Sequence, residues 1–277
     1  MAGVLVGRGQ LDPDAPVTRY IPEAEGSAYG GDCTVRHVLD MTVAIRFVED
    51  YLAPTGEFVR YREATGWNPV GDATGESDLR SFLVTLARDE SRPHGAAFYY
   101  VSPDADLLGW ILERASGTAY ADLVTEALWQ PMGAAFDAYV TVDRLGAPRS
   151  AGGCCVTLRD LGRFGELMRC RGTLDGRPIV PDWWIDDIRD NGDRAAWQRS
   201  ASTALLPNGR YRSQWYGIGN GRGSICAIGI HGQWIYVDPE AEVVIAKQSS
   251  QPLPVDDAMD HLLLKGFEAL SRALAGE

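Results

Sequence analysis

The last quarter of the chain limits the fold most. Residues 212–219 alternate aromatic and small side chains, Asn220-Gly221 is a favoured two-residue hairpin turn, and residues 224–230 return as a strand. Residues 234–237, the Asp238-Pro239 turn and residues 243–248 add two more antiparallel strands. Asp256 then opens a terminal helix with Met259, Leu263, Phe267, Leu270 and Leu274 at helical spacing. The middle of the chain, before this, reads as mainly helical. Tight-turned antiparallel strands behind a helical region, closed by one more helix, predict an α+β fold. Gly217, Gly219, Gly221 and Gly223 resemble a phosphate loop only in composition, because no helix follows them and no lysine stands in place.

A second constraint lies in Phe98-Tyr99-Tyr100-Val101-Ser102-Pro103-Asp104, an aromatic strand end running into a helix. Ser102 reads as the N-cap and Pro103 as the first helical residue, with Asp104 and Asp106 suited to the positive helix end. Leu107, Leu108, Ile111, Leu112 and Ala115 then share a face, and Gly117 closes the helix in a left-handed cap. Two hydroxyls, those of Tyr100 and Ser102, are therefore held at a rigid junction. Either both point into a cleft, or Tyr100 packs its ring over the helix start and Ser102 only caps.

Upstream, Ala2, Val4, Leu5 and Val6 read as the tail of a helix with no cap before it, and the prolines of residues 9–23 predict an extended surface crossing. Thr34 caps a short helix through Val35, Val38 and Leu39, and residues 45–70 are irregular enough to be a functional loop or lid. Ser77-Asp78-Leu79 opens a helix burying Phe82, Leu83 and Leu86, and another over residues 120–128 ends at Pro131-Met132-Gly133. Thr157-Leu158-Arg159-Asp160 is a capping pattern before Leu161, Phe164, Leu167 and Met168.

The formal charge of −12 argues against nucleic acid and anionic membrane surfaces as partners. Five cysteines lack the spacing of a disulfide framework or zinc ribbon, so adjacent Cys154 and Cys155 read as small core residues. His37, His94, His231 and His261 show no metal spacing, and the first two read as core or surface residues. No metal or cofactor is expected. With no membrane-length apolar run and no signal-peptide pattern at the start, the expected location is cytoplasmic.

Neither Gly-x-Ser-x-Gly nor His-Glu-x-x-His occurs. Ile230-His231-Gly232-Gln233 stands out instead, a histidine at a strand end whose neighbouring glycine leaves backbone amides open. Tyr100-Val101-Ser102, Leu107-Leu108-Gly109, Ser116-Gly117, Gly152-Gly153, Leu158-Arg159-Asp160-Leu161 and His231-Gly232 follow one another in an order that resembles the serine β-lactamase and penicillin-binding protein superfamily. Within it the chain is most similar to class C-like esterases and nylon-oligomer (aminohexanoate-dimer) hydrolases, and residues 11–23 and 34–41 agree in order.

The resemblance implies a single β-lactamase-like domain over residues 1–277, an antiparallel sheet flanked by helices. Its helical lobe would span about residues 41–206 and its sheet lobe about 1–40 plus 207–277. It implies hydrolysis of a small ester or linear amide through an acyl-enzyme. Tyr100 would be the base, Ser102 the second hydroxyl of its motif, and His231 the start of the strand motif. Gly232 and Gln233 would lie at the oxyanion and substrate side, and the loop carrying Phe47 and Trp67 would shape the acyl pocket. Gln233 stands where many members have glycine.

The family's Ser-x-x-Lys is missing. The only lysines are Lys247 and Lys265, with Val244 and Leu262 three residues before them. By the family's order the motif would precede Met1. The chain is then expected to be the downstream part of a longer hydrolase, a truncated inactive relic, or a non-catalytic binding module using the same cleft. A sheet lacking its N-terminal strands would expose an edge able to pair with a second copy.

Overall fold

The computed structural model describes residues 1–69 and 78–277. Its sheet runs β1 (Arg210–Arg212), β2 (Trp215–Gly217), β3 (Ile225–Gly229), β4 (Gln233–Asp238) and β5 (Val243–Lys247) in strict sequence order. Every pairing is antiparallel. Because side chains alternate along a strand, β4 sends Trp234 and Tyr236 to one face and Ile235 and Val237 to the other, and each pair enters a different hydrophobic core. Helix α10 (Asp257–Ala275) covers the first face, where Phe267 meets Trp234 and Tyr236 at 5.7 and 5.8 Å between ring centroids. Helix α7 (Leu158–Arg169) packs across β4 and β5 on the second. The outer edge of β5 has no strand partner among the described residues.

The remaining helices are α1 (Ala2–Gly7), α2 (Val35–Leu39), α3 (Glu57–Ala64), α4 (Leu79–Leu83), α5 (Ser102–Ser116), α6 (Tyr120–Val124), α8 (Asp182–Asp190) and α9 (Arg194–Gln198). Most of them bury their apolar sides in the larger core, together with Ile225, Ile235 and Val237 of the sheet. The two halves of the sequence are tied by Asp40, whose carboxylate accepts the Ser213 backbone N–H and pairs with Arg212 at 2.8 Å each.

Several local expectations change. The strand foreseen over 212–219 is cut by Ser213 and Gln214, both at positive φ, so β1 and β2 form a hairpin of their own. Asn220-Gly221 consequently sits in a longer loop between β2 and β3 rather than in a two-residue turn. In α10 the buried residues are Leu264, Phe267 and Ser271, while Leu270 and Leu274 face solvent. The Ser271 hydroxyl donates to Asp238 at 2.8 Å, on the same face as Leu264 and Phe267. Cys154 is not a core residue: it lies exposed in a short ladder with Tyr139–Val140, Cys155 is half-buried, and all five cysteines are free.

The irregular stretch after residue 45 contains α3, and Asp78 caps α4 by accepting the Ser81 N–H, while Ser77 lies outside the described residues. His37 and His94 stack at 5.3 Å. Among the described residues no helix is long and apolar enough to cross a membrane, and no His, Cys, Asp and Glu side chains group as a metal site would require.

Candidate active site

Helix α5 positions the two hydroxyls. Its N-cap is Val101, so Ser102 is already the first helical residue and does not cap. A carboxylate from the loop before α3 takes over that task. Glu49 accepts the Ser102 backbone N–H through Oε2 and the Ser102 hydroxyl through Oε1, each at 2.5 Å. The Tyr51 hydroxyl donates to the same Oε1 at 2.5 Å. An anion at a helix N-terminus is favoured by the unpaired N–H groups and the helix dipole. Burial nevertheless raises the pKa of Glu49, with the three hydrogen bonds opposing that rise.

Tyr100 packs its ring against the smaller core and lies close enough to Tyr211 and Tyr216, of β1 and β2, to interact with them. Burial raises its pKa, the Glu49 charge raises it further, and the Ser102 hydroxyl and Arg149 offset part of this. The phenol is therefore harder to ionise than a free tyrosine.

One turn along α5, Asp106 is buried, accepts the Tyr61 hydroxyl at 2.5 Å and accepts the Ala151 N–H at 2.8 Å. The Ser150 hydroxyl donates to the Ala105 carbonyl. These bonds seat residues 149–151 on the first two turns of α5. Gly109 permits the seat, since a Cβ there would lie 2.2 Å from Ser150 Oγ.

His231 occupies the turn joining β3 to β4, at φ 58°, and not the strand itself. Its N–H donates to Pro254, its carbonyl accepts the Gln251 N–H, and its Nδ1 lies 2.7 Å from the Gln251 carbonyl. The Gly232 carbonyl accepts from Lys247 Nζ at 2.8 Å. Gln233 spends its side chain on a clamp, Nε2 donating to the His231 and Ser249 carbonyls and Oε1 accepting the Ser249 N–H. The three residues thus form one braced turn, and none of them is hydrogen-bonded to Tyr100 or Ser102.

Phe47 is 2% exposed and surrounded by Phe58, Tyr61 and Phe82, so its ring belongs to the core rather than to a pocket wall. Trp67 is 44% exposed and lies under Arg149, 4.3 Å from ring centroid to guanidinium carbon. The sequence reading did not pick out Glu49, Tyr61 or Arg149, and took Asp106 only as an acid suited to the helix end. Only Asp106 carried a local signal, lying four residues beyond Ser102 and so on the same helix face.

A cavity of about 420 Å³ runs along α5 next to Gly109 and Ser150, lined also by Met1, Leu108, Phe164 and Trp215 among others. It is mostly apolar and does not include Tyr100, Ser102 or His231.

The beta-lactamase family model matches residues 1–266. The chain belongs to this family of serine hydrolases. The 6-aminohexanoate-dimer hydrolase of Paenarthrobacter ureafaciens is 38% identical over 275 residues, which are 99% of this chain and 69% of that protein. The esterase EstB of Burkholderia gladioli is 32% identical over 138 residues, 47% of this chain and 32% of its own length. Among solved structures, a Bacillus anthracis protein provisionally described as a 6-aminohexanoate-dimer hydrolase superposes with a TM-score of 0.85 at 22% identity, covering 99% of this chain and 71% of its own. Simvastatin synthase from Aspergillus terreus gives 0.71 at 15% identity, covering 100% and 82%. The fold is thus β-lactamase-like.

Proposed function

We propose that this chain supplies the tyrosine side of an acyl-transfer site that hydrolyses a small ester or linear amide, and that the 277 residues alone are inactive. The observation that carries the reading is the Tyr100–Ser102 junction, held at the head of α5 by Glu49, with Tyr100 close to Tyr216 of β2. In the reaction a serine on a Ser-x-x-Lys helix attacks the carbonyl while Tyr100 relays its proton. The acyl-enzyme is then hydrolysed by water. Backbone N–H groups stabilise the oxyanion. The kinship with the aminohexanoate-dimer hydrolase favours an amide substrate, and the shorter match to the esterase favours an ester.

Two features support inactivity of these residues by themselves. They contain no Ser-x-x-Lys, and Tyr100 has no ammonium beside it to offset burial and the Glu49 charge. Ser102 does not replace the nucleophile. It is buried, and its hydroxyl is committed to a carboxylate rather than, as its sequence position suggested, to a backbone amide. Cytoplasmic location, and pairing of two copies through the outer edge of β5, complete the proposal.

The test is mass spectrometry after incubation with a fluorophosphonate, together with hydrolysis of a neutral p-nitrophenyl ester. The 277-residue chain should give neither adduct nor turnover, and a form with a Ser-x-x-Lys helix ahead of residue 1 should give both. A stoichiometric adduct on the shorter form, lost in Tyr100→Phe, would overturn the inactivity. A second reading, binding without catalysis in the same cleft, predicts an inert extended form that still binds ligand.

A further inference from the structure

Arg210 and Arg212 stand two residues apart on one face of β1, with Tyr211 between them turned to the smaller core. Their surroundings differ. Arg212 is held by Asp40 at 2.8 Å and by Asp187 at 2.7 Å. Arg210 is 7% exposed, its Nε is buried without a partner, and no carboxylate of the described residues comes within ion-pair distance of its guanidinium. What faces it is a second cation. Burial, and after it the charge of Arg194, push the Arg210 pKa below its ordinary value, and Asp190 at the end of α8 offsets only part of this. A guanidinium removed from water is ordinarily paired, because the loss of hydration is costly.

The arrangement is built from two sides. Arg210 pairs with Gly217 across the ladder of β1 and β2, and a Cβ on Gly217 would lie 2.7 Å from Arg210 Cγ and 2.9 Å from its Nε. Glycine there lets the side chain lie flat across β2. Gly192, at φ 123°, does the same for the facing loop, since a Cβ would lie 2.8 Å from the Tyr211 carbonyl oxygen and 3.2 Å from Arg210 Cβ. The turn between α8 and α9 can therefore press against β1 and bring exposed Arg194, the first residue of α9, towards Arg210. Both Arg210 Nη groups lack a protein acceptor and keep access to solvent.

We propose that Arg210 and Arg194 form a binding site for a phosphoryl group, on the face of β1 turned away from Tyr100. Two guanidiniums carried on different elements suit a tetrahedral anion, whose oxygens accept from both and whose charge offsets their repulsion. A carboxylate is satisfied by one planar fork. The site is independent of the hydrolase reading, and its test needs no turnover. Isothermal calorimetry on the 277-residue chain at fixed ionic strength would compare inorganic phosphate, methyl phosphate and acetate. Phosphate should bind saturably, and acetate about tenfold or more weakly. Methyl phosphate binding as well as phosphate would identify the ligand as the phosphorylated end of a larger molecule, and weaker binding would identify it as the free ion.

Arg210→Gln should abolish phosphate binding. Arg194→Gln, at an exposed position, should weaken it about tenfold, and Asp190→Asn, which removes the competing carboxylate, should strengthen it. No saturable binding of phosphate, acetate bound as tightly as phosphate, or an affinity unchanged in Arg194→Gln would overturn the inference. The unmutated chain and the exposed Arg194 variant carry the test, so a poorly folded Arg210→Gln cannot decide the matter.

Discussion

The Tyr61 hydroxyl donates to Asp106 Oδ2 at 2.5 Å while Asp106 Oδ1 takes the Ala151 N–H, joining α3, α5 and the Arg149 loop through one buried carboxyl. Burial pushes this carboxyl up to about 6, against the pull of its hydrogen bonds. Its folded pKa exceeds the unfolded value of about 3.9, so the stability it contributes is complete below that value and is lost as pH rises through about 6. Asp106→Asn removes that ionisation. The unfolding free energy from urea melts should fall for the parent between about pH 4 and 7 by an amount on the order of 2 kcal/mol, and the variant should lack this component. Parallel profiles would refute it.

His94 contributes with the opposite sign. Burial, Arg88 and stacked His37 lower its pKa to about 4, outweighing Asp32. At pH above about 6.5 it is neutral in both folded and unfolded chains, and its contribution is lost as pH falls from there towards 4. His94→Asn, whose side-chain oxygen can still accept the Ala44 N–H that now bonds Nδ1, should lose less stability on acidification than the parent. Thermal melts across that range, run beside Asp106→Asn, separate the two effects.

Gly109→Ala should destabilise by about 1 to 3 kcal/mol, because the new methyl collides with Ser150 and breaks its bond to the Ala105 carbonyl. The double variant Gly109→Ala with Ser150→Gly should recover part of the loss. Additive effects in the denaturation midpoints would place the strain elsewhere.

Glu49→Gln exchanges an acceptor of three hydrogen bonds for a group with only one acceptor oxygen, and should cost roughly 1 to 3 kcal/mol. The same change removes a negative charge that raises the Tyr100 pKa. Ultraviolet titration, with Tyr100→Phe subtracted, should show the phenol ionising at lower pH in Glu49→Gln. An unchanged titration would mean that burial alone sets it.

Local chemistry made α5 legible: Gly117 does end it in the left-handed conformation, and Tyr100 and Ser102 do lie at its head. The misreading of Ser102 has a physical origin. Glu49, 53 residues away in sequence, takes both the Ser102 N–H and its hydroxyl proton, so Ser102 enters the helix as its first residue with its side chain turned to that carboxylate and not to a later N–H. Arg149 over Trp67 was invisible for the same reason, since their meeting depends on the 149–151 loop docking on α5. In α10 the hydrophobic pattern gave Phe267 and Leu263 correctly, while Leu270 and Leu274 face solvent and Ser271 is buried, bonded to Asp238.

The Asp40 contact with Arg212 and Ser213 also constrains the order of assembly. The anchor for the end of α2 arrives some 170 residues later in the chain, and the sheet that closes both cores follows it. During synthesis α2 and α5 must wait with apolar faces uncovered until the last quarter of the polypeptide has emerged. Folding of these residues is therefore dominated by non-local contacts, and the apolar faces that the sheet covers stay open longest.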